Sequence, residues 1–351
     1  MSDRRSVYRV GLETLYFSGA HRLARQFLAG DGAILMFHRV RPAPGNAFQP
    51  NIGLEITPEF LDEVLTSLRA EGVEIVTLDE VHRRLMSGKP SRRFVALTFD
   101  DGYRDNLEYA WPVLKRHQAP FTIYVPSAFA EGRGELWWVV LEVAIAQSAA
   151  INFTLSGREH VFDCATLEAK QAAFGAVSDL IHDCGTEAEL RHAVRDIAGR
   201  CGIDMAALCR DLCMDWDELA TLAADPLVTI GAHTVTHPIL TKVTAEEARA
   251  EMLEGARAIA ARLGRVPAHF AYPVGSPGAA GVREFALAAG AGFKTAVTTR
   301  LGVLFPDHAQ HLTALPRVSV NGGFQKMRYL DVLLSGAPGA LLNRFRRVDA
   351  A

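Results

Sequence analysis

What this 351-residue sequence lacks narrows it first. Its most apolar stretch, residues 137–146 (WWVVLEVAIA), is interrupted by Glu142 and falls far short of the roughly 20 residues that a membrane-crossing helix needs. The opening residues, MSDRRSVYRVGLETLYFSGA, have no long apolar core of the kind a signal peptide carries, so a cytoplasmic location is the expectation. Neither charge sign is in excess: 37 Lys and Arg stand against 40 Asp and Glu, net -3. With no basic stripe, a nucleic-acid partner is not expected. Cysteine is scarce and odd in number. Cys164, Cys184, Cys201, Cys209 and Cys213 all lie in the middle third, whereas a disulfide scaffold is usually shorter and more evenly stapled. They read as thiols of a reducing compartment. Cys209 and Cys213 stand one helical turn apart and can in principle share a metal, but two buried thiols on one helix face is the plainer reading. No internal repeat or low-complexity segment is visible.

What is present is a rhythm of short apolar runs and helical stretches. AILMF (33–37), FVALTF (94–99), FTIYVP (121–126), LVTIG (227–231), HFAYP (269–273), FKTAV (293–297) and ALPRVSV (314–320) read as buried strands. Between them, Thr57-Pro58-Glu59 opens a helix to about Ala70 with an N-cap, a Pro at the first position and an acid in the first turn. A short strand near 74–77 and a helix near 79–86 stopped by Gly88 follow. Further helices are expected at about 105–117 and 282–289, and Thr244 with Glu247 forms a capping box for a long helix ending at Gly264. Strands alternating with helices imply an α/β fold built on a parallel sheet or barrel. Residues 131–225 break the rhythm. They are rich in Ala, Leu and Glu and read as an inserted group of helices. Residues 1–29 read as an N-terminal helical segment with apolar members Tyr8, Val10, Leu12, Leu15, Phe17, Leu23 and Phe27 among several arginines. The tail, 321–351, ends in a short Leu/Phe/Arg segment. Both ends read either as packing helices or as amphipathic contacts with a membrane surface.

The chemistry gathers where strands end. His38 follows the first run, Asp100 and Asp101 the second, His233 and His237 the fourth. In parallel α/β architectures the C-terminal ends of the strands meet at one face, so residues distant in the chain can converge there. Adjacent carboxylates at a strand end point in different directions, so one can bind a metal while the other acts as a base, although Asp-Gly is also a common turn dipeptide. Two histidines four apart can bind one ion, and imidazole suits zinc. Two histidines plus one carboxylate leave positions open for water, as hydrolytic metal sites require.

The string LTFDDGYRDN (97–106), followed by GAHTVTHPIL (231–240) and FAYPVG (270–275), resembles the NodB-homology polysaccharide deacetylases, carbohydrate esterase family 4. Its first two motifs are intact, and the resemblance covers residues 30–320 apart from the insert. It implies a distorted (β/α)7 barrel. It implies Asp100 as general base and Asp101, His233 and His237 as ligands of one divalent ion, usually zinc. It also implies an oxyanion-holding backbone N–H from the Tyr272 to Val274 region. The string ILMFHRV resembles the bacterial exopolysaccharide branch, which implies His38 as the general acid; His308 and His311 lie in no context like the family's late histidine motif. Where the family often has a base-pairing arginine in its third motif this sequence has Ala271, and Arg317 is the candidate replacement, keeping Asp100 ionised. Trp137 and Trp138 can stack on sugar or pack in the core. The implied activity is N-deacetylation of an amino sugar in a polysaccharide or a lipid-linked glycan precursor, with peripheral membrane contact. A metal-dependent hydrolase of formamides or cyclic amides is the alternative, and an inactive glycan-binding module is a third reading that the intact motifs oppose.

Overall fold

The computed structural model describes residues 2–88 and 92–350. Seven strands form its centre: β1 (Gly32–Phe37), β2 (Phe94–Phe99), β3 (Phe121–Val125), β4 (Val228–Ala232), β5 (His269–Ala271), β6 (Thr295–Leu301) and β7 (Leu315–Ser319). Each pairs in parallel with the next, and β7 pairs with β1, so the sheet closes on itself. This is the distorted (β/α)7 barrel. The distortion is local: β4 and β5 share a single register pair, Phe270 with Ala232, and β6 shifts register between Val297 and Leu301. A two-residue strand, Glu74–Ile75, adds to the first half of β2.

Side-chain alternation along a strand sorts the residues to two faces. Ala33, Leu35, Phe37, Val95, Leu97, Phe99, Ile123, Phe270, Ala296 and Val318 face outward into one large core shared with the surrounding helices. Ile34, Phe94, Ala96, Tyr124, Ala271, Val297 and Leu315 face inward, where Leu78, Val81 and Leu85 of the helix Leu78–Ser87 join them with Leu304. That apolar plug seals the end where the strands begin.

The helix signals at Pro58–Ala70 and Ala245–Leu263 hold: Thr57 and Thr244 accept from the backbone of Phe60 and Glu247, and Gly264 ends the second helix at φ 72°. Three stretches differ from expectation. Residues 105–117 form a π-helical turn, Asn106–Ala110, before the α-helix Trp111–Arg116. Pro112 has no N–H to give to the turn before it, and a widened turn accommodates the loss. The N-terminal segment is two helices, Ser2–Phe17 and Ala20–Leu28, separated by Gly19 at φ 73°. Between β3 and β4, helices Trp137–Gln147, Leu167–Asp183, Glu187–Arg200, Met205–Leu212 and Trp216–Ala223 are accompanied by an antiparallel hairpin, Ala150–Leu155 with Arg158–Asp163. Most of this region packs into a core of its own that includes Ile145, Phe153, Val177 and Val194. Near the end of the chain, helices Met327–Leu334 and Ala337–Leu342 rest on the N-terminal ones, with Tyr329 and Arg328 donating to Glu13 at 2.7 and 2.8 Å. Among the described residues, no helix is long and apolar enough to cross a membrane.

Candidate active site

The inward alternation that builds the plug continues to the opposite end with polar residues. Asp100 extends the series Phe94, Ala96, Thr98; His38 extends Ile34, Met36; His233 follows β4; Arg317 lies within β7. The structure brings all of them together.

Arg317 is fully buried and grips Asp100 with both ends of its guanidinium, Nη1 to Oδ1 and Nη2 to Oδ2, each at 2.7 Å. Its Nε donates to the Thr298 carbonyl at 2.8 Å and Nη1 also donates to Thr98 Oγ1 at 3.2 Å. Burial alone would raise the Asp100 carboxyl, but the charge and hydrogen bonds of Arg317 outweigh it and hold the group below the usual carboxylate range. The Asp100 N–H donates to the Phe37 carbonyl at 3.0 Å, which ties β2 to β1 at the mouth.

Asp101 points elsewhere because its backbone turns at φ 72°, with Gly102 following at φ 63°. Its Oδ1 stands 3.4 Å from Nε2 of His233 and 3.4 Å from Nε2 of His237. The ligand atoms of these three residues lie within 4.8 Å of one another, the one such cluster among the described residues. Two observations fit a metal here. Asp101 Oδ1 is buried with no hydrogen-bond donor, a costly state for a carboxylate oxygen unless a cation takes the donor's place. His233 Nδ1 lies 2.7 Å from the Ala271 carbonyl and must be its N–H donor, which leaves the Nε2 lone pair facing the cluster. A divalent ion preferring nitrogen and oxygen donors, zinc among them, matches this set.

His38 stands on the other side of Asp100, Nε2 to Oδ2 at 3.9 Å, with 17% of its side chain exposed. Burial lowers its pKa, opposed by the charges of Asp100 and Asp101. The rest of the first motif fixes this strand end. Asn106 Nδ2 donates to the His38 carbonyl at 3.0 Å, and Asp105 accepts from Arg39 Nε at 2.7 Å and from the Val40 N–H at 3.1 Å.

The donors of Tyr272 are not free for an oxyanion, which corrects the expectation. Its N–H is bonded to the Val297 carbonyl at 3.1 Å, its hydroxyl donates to the Thr313 carbonyl at 2.7 Å, and its ring packs outward on Phe270 and Phe285. The bond to Val297 carries the ladder between β5 and β6 one residue beyond the strand His269–Ala271, within the run 269–273 expected as a strand. Val274 is different. It adopts φ 61°, a strained value for a β-branched residue, and among the described residues its N–H has no acceptor. Its carbonyl is anchored by Thr299 Oγ1 at 2.8 Å.

Sequence reasoning does not single out the group that shapes the histidine loop. Glu251, on the helix Ala245–Leu263, accepts from the N–H groups of Val235 and Thr236 at 2.8 and 2.9 Å and from Thr236 Oγ1 at 2.8 Å. Arg191, on the helix Glu187–Arg200, donates to the Thr236 carbonyl and hydroxyl, both at 3.0 Å, and Glu187 accepts from the Ile239 N–H at 3.1 Å. Within this frame Thr234 and His237 adopt φ 67° and 61°. A Cβ on Gly255 would meet the Thr234 carbonyl oxygen at 2.5 Å, so only glycine lets the helix come this near.

Trp138 donates from Nε1 to Tyr103 Oη at 2.8 Å and packs beside His237, while Trp137 sits edge-on to His182, so both have packing roles. Cys209 and Cys213 are buried free thiols. His308 Nδ1 accepts from the Phe305 N–H within its own turn, away from the cluster.

The model of the polysaccharide deacetylase family matches residues 87–293. Bacillus subtilis (strain 168) YxkH, a protein named as a polysaccharide deacetylase, is 33% identical over 93 residues, which is 26% of this chain and 30% of that protein. Among solved structures, the Streptococcus pyogenes deacetylase PplD in complex with acetate is similar at a TM-score of 0.56 and 19% identity, over 86% of this chain and 97% of that one. IcaB from Ammonifex degensii is similar at a TM-score of 0.54 and 17% identity, over 88% and 97%. At these identities the structures speak for the fold. With the family match spanning more than half of the sequence, the chain belongs to the polysaccharide deacetylase family of hydrolases.

Proposed function

We propose that this protein is a metal-dependent N-deacetylase that removes acetyl from an N-acetylated amino sugar of a bacterial polysaccharide or of a lipid-linked glycan precursor. One observation carries the reading: Asp101, His233 and His237 converge on a common point while the neighbouring carboxylate, Asp100, is held apart by Arg317.

Asp101, His233 and His237 would hold the ion, which when bound lowers the pKa of water and polarises an amide carbonyl. Asp100 takes the proton from the attacking water. Arg317 keeps it ionised before that step and fixes its orientation. The Val274 N–H, which has no acceptor among the described residues, would donate to the oxyanion that develops on the substrate carbonyl. His38 delivers a proton to the departing amine, and acetate and the free amino sugar result. Residues 30–320 form the catalytic unit in this proposal. The insert 131–225 braces the histidine loop through Arg191 and Glu187 and borders the substrate groove, and 1–29 and 321–351 flank it. The free cysteines fit a cytoplasmic enzyme, working peripherally at the inner face of the membrane.

Acetate release from acetylated hexosamine oligomers tests the activity, run beside a panel of formyl and cyclic amides. Turnover of the panel with none of the oligomers would replace the deacetylase reading by the simpler amidase one. For His38, the variant His38→Ala should lose turnover by at least about 10²-fold with normal metal content; near-normal turnover removes it from the reaction.

A further inference from the structure

Among the described residues, eight of the fourteen large exposed apolar side chains lie on the two terminal segments. On the helix Ala20–Leu28, Leu23 and Phe27 are 69% and 76% exposed; at the end of the chain, Leu341, Leu342 and Phe345 are 57%, 64% and 66% exposed. The helices that carry them pack against each other, and Phe27 and Phe345 line one depression together with Arg346 and Arg347. Val7, Val10 and Phe17 on the helix Ser2–Phe17, also exposed, share a helical face by their spacing. A contiguous apolar surface of this kind marks a site of contact, where single exposed residues would not.

Charge says what covers it. Residues 14–30 and 332–348 contain no aspartate or glutamate but five arginines: Arg22, Arg25, Arg344, Arg346 and Arg347. Arg25 is paired with Glu71 and Arg347 lies over the Phe305 ring at 5.3 Å. Arg22, Arg344, Arg346 and Arg347 are exposed among the apolar residues. The one acid at this depression, Asp349, is paired with Arg300, and large apolar side chains ringed by arginine complement an interface in which acyl chains lie beneath anionic headgroups. A second copy of the chain fits less well, because a twofold contact on this patch would set arginine against arginine.

We propose that this surface, formed by the helix Ala20–Leu28 and the segment 341–347, docks the enzyme on a bilayer that carries anionic lipid. It rests on the peripheral location given above and is independent of the reaction chemistry. The test is flotation of the full metal-loaded chain with vesicles of phosphatidylcholine alone or of phosphatidylcholine with phosphatidylglycerol. The wild-type protein should rise with the anionic vesicles, stay behind with the neutral ones, and detach as salt is raised. The pair Phe27→Glu with Phe345→Glu, and separately the triple Arg344→Gln, Arg346→Gln, Arg347→Gln, should each weaken binding by about tenfold or more. Metal content and turnover of a water-soluble substrate should stay at wild-type level in both, which also reports that they fold. Wild-type protein left behind by anionic vesicles, or variants that float as well as wild type, would overturn the proposal. So would a concentration-dependent dimer, seen without vesicles and lost in the phenylalanine variant, which assigns the face to self-association. A chain that floats as expected but releases no acetate keeps the docking surface and sinks the reaction instead.

Discussion

The two ends of the barrel are made from the same seven strands and the same inward alternation, yet one is a dry plug and the other a nest of charge. Along β2 the inward series runs Phe94, Ala96, Thr98, Asp100; along β1 it runs Ile34, Met36, His38; along β7, Leu315 gives way to Arg317. Polarity rises in step on strands that come from distant parts of the chain. The alternation decides which residues face the axis, and the height along the strand decides whether they serve as core or as chemistry. Arg317 marks the border. It is as buried as the plug residues, and its charge is tolerated because Asp100, Thr98 and Thr298 take up its donors.

The largest expected effect breaks the mouth without touching the plug. Asp100→Asn should lower turnover by about 10³-fold or more and also destabilise the protein by roughly 3 kcal/mol, because Arg317 is left as an unpaired buried charge. Adding Arg317→Met should restore much of the stability and none of the turnover. Denaturant melts and initial rates on the single and double variants check this, and recovery of both together would mean that Asp100 is structural. At the other end, Leu85→Ala opens a cavity in the plug and should cost about 3 kcal/mol, with turnover per folded molecule close to wild type. A comparable loss of turnover would show that the two ends are mechanically coupled.

Much of this division was legible in the sequence, and the reasons differ residue by residue. His38, Asp100, Asp101 and His233 could be placed because each follows an apolar run that can only be a buried strand, and parallel strand ends converge. Arg317 was legible as a charge inside such a run. Tyr272 misled because the string 269–273 reads as a strand without showing which of its N–H groups the ladder uses; the bond to Val297 takes up that of Tyr272, while among the described residues the Val274 N–H has no acceptor. The hairpin 150–163 was hidden because its alternation, Ile151, Phe153 and Leu155, spans few residues amid alanine- and leucine-rich neighbours. Glu251 carried no signal at all: it is one of several acids on a long helix, and only the fold brings it to the histidine loop.

A smaller effect sharpens the comparison by pH. The plug end holds two buried neutral histidines, His269 at the start of β5 and His308 in the turn 306–310, both lowered by burial to about 4. Their unfolded-state pKa is near 6.5, so between those values the unfolded chain binds protons that the folded one refuses. The stability they contribute is complete above pH 6.5 and is lost as pH falls toward 4, at roughly 3 kcal/mol per histidine. His308→Asn keeps an acceptor for the Phe305 N–H and removes one titration, so its stability should fall less steeply with acid over that window. An unchanged slope would show that His308 titrates normally.

The smallest expected effect concerns how the mouth acquires its geometry. Asp101, His233 and His237 depend on backbone at positive φ, at Asp101, Thr234 and His237 themselves, and such values persist only where surrounding bonds enforce them. For the histidine loop the enforcing group is Glu251, whose carboxylate gathers two N–H groups and a hydroxyl from Val235 and Thr236. It reaches them because Gly255, one turn further on, has no Cβ to strike Thr234. Glu251→Gln retains size but can accept well at only one of its two positions, so the loop should loosen without any ligand being changed. Weakening of metal affinity by about 10- to 100-fold is the expectation for a partner one bond removed from the ligands, measured by competition with a chelator. Gly255→Ala should weaken affinity in the same direction by pushing the helix outward. If turnover at saturating metal then returns to near wild type, Glu251 acts by positioning the histidines. If it stays low when the site is full, the loop has a further part in the reaction, and the division between a passive frame and an active mouth would have to be redrawn at Thr236.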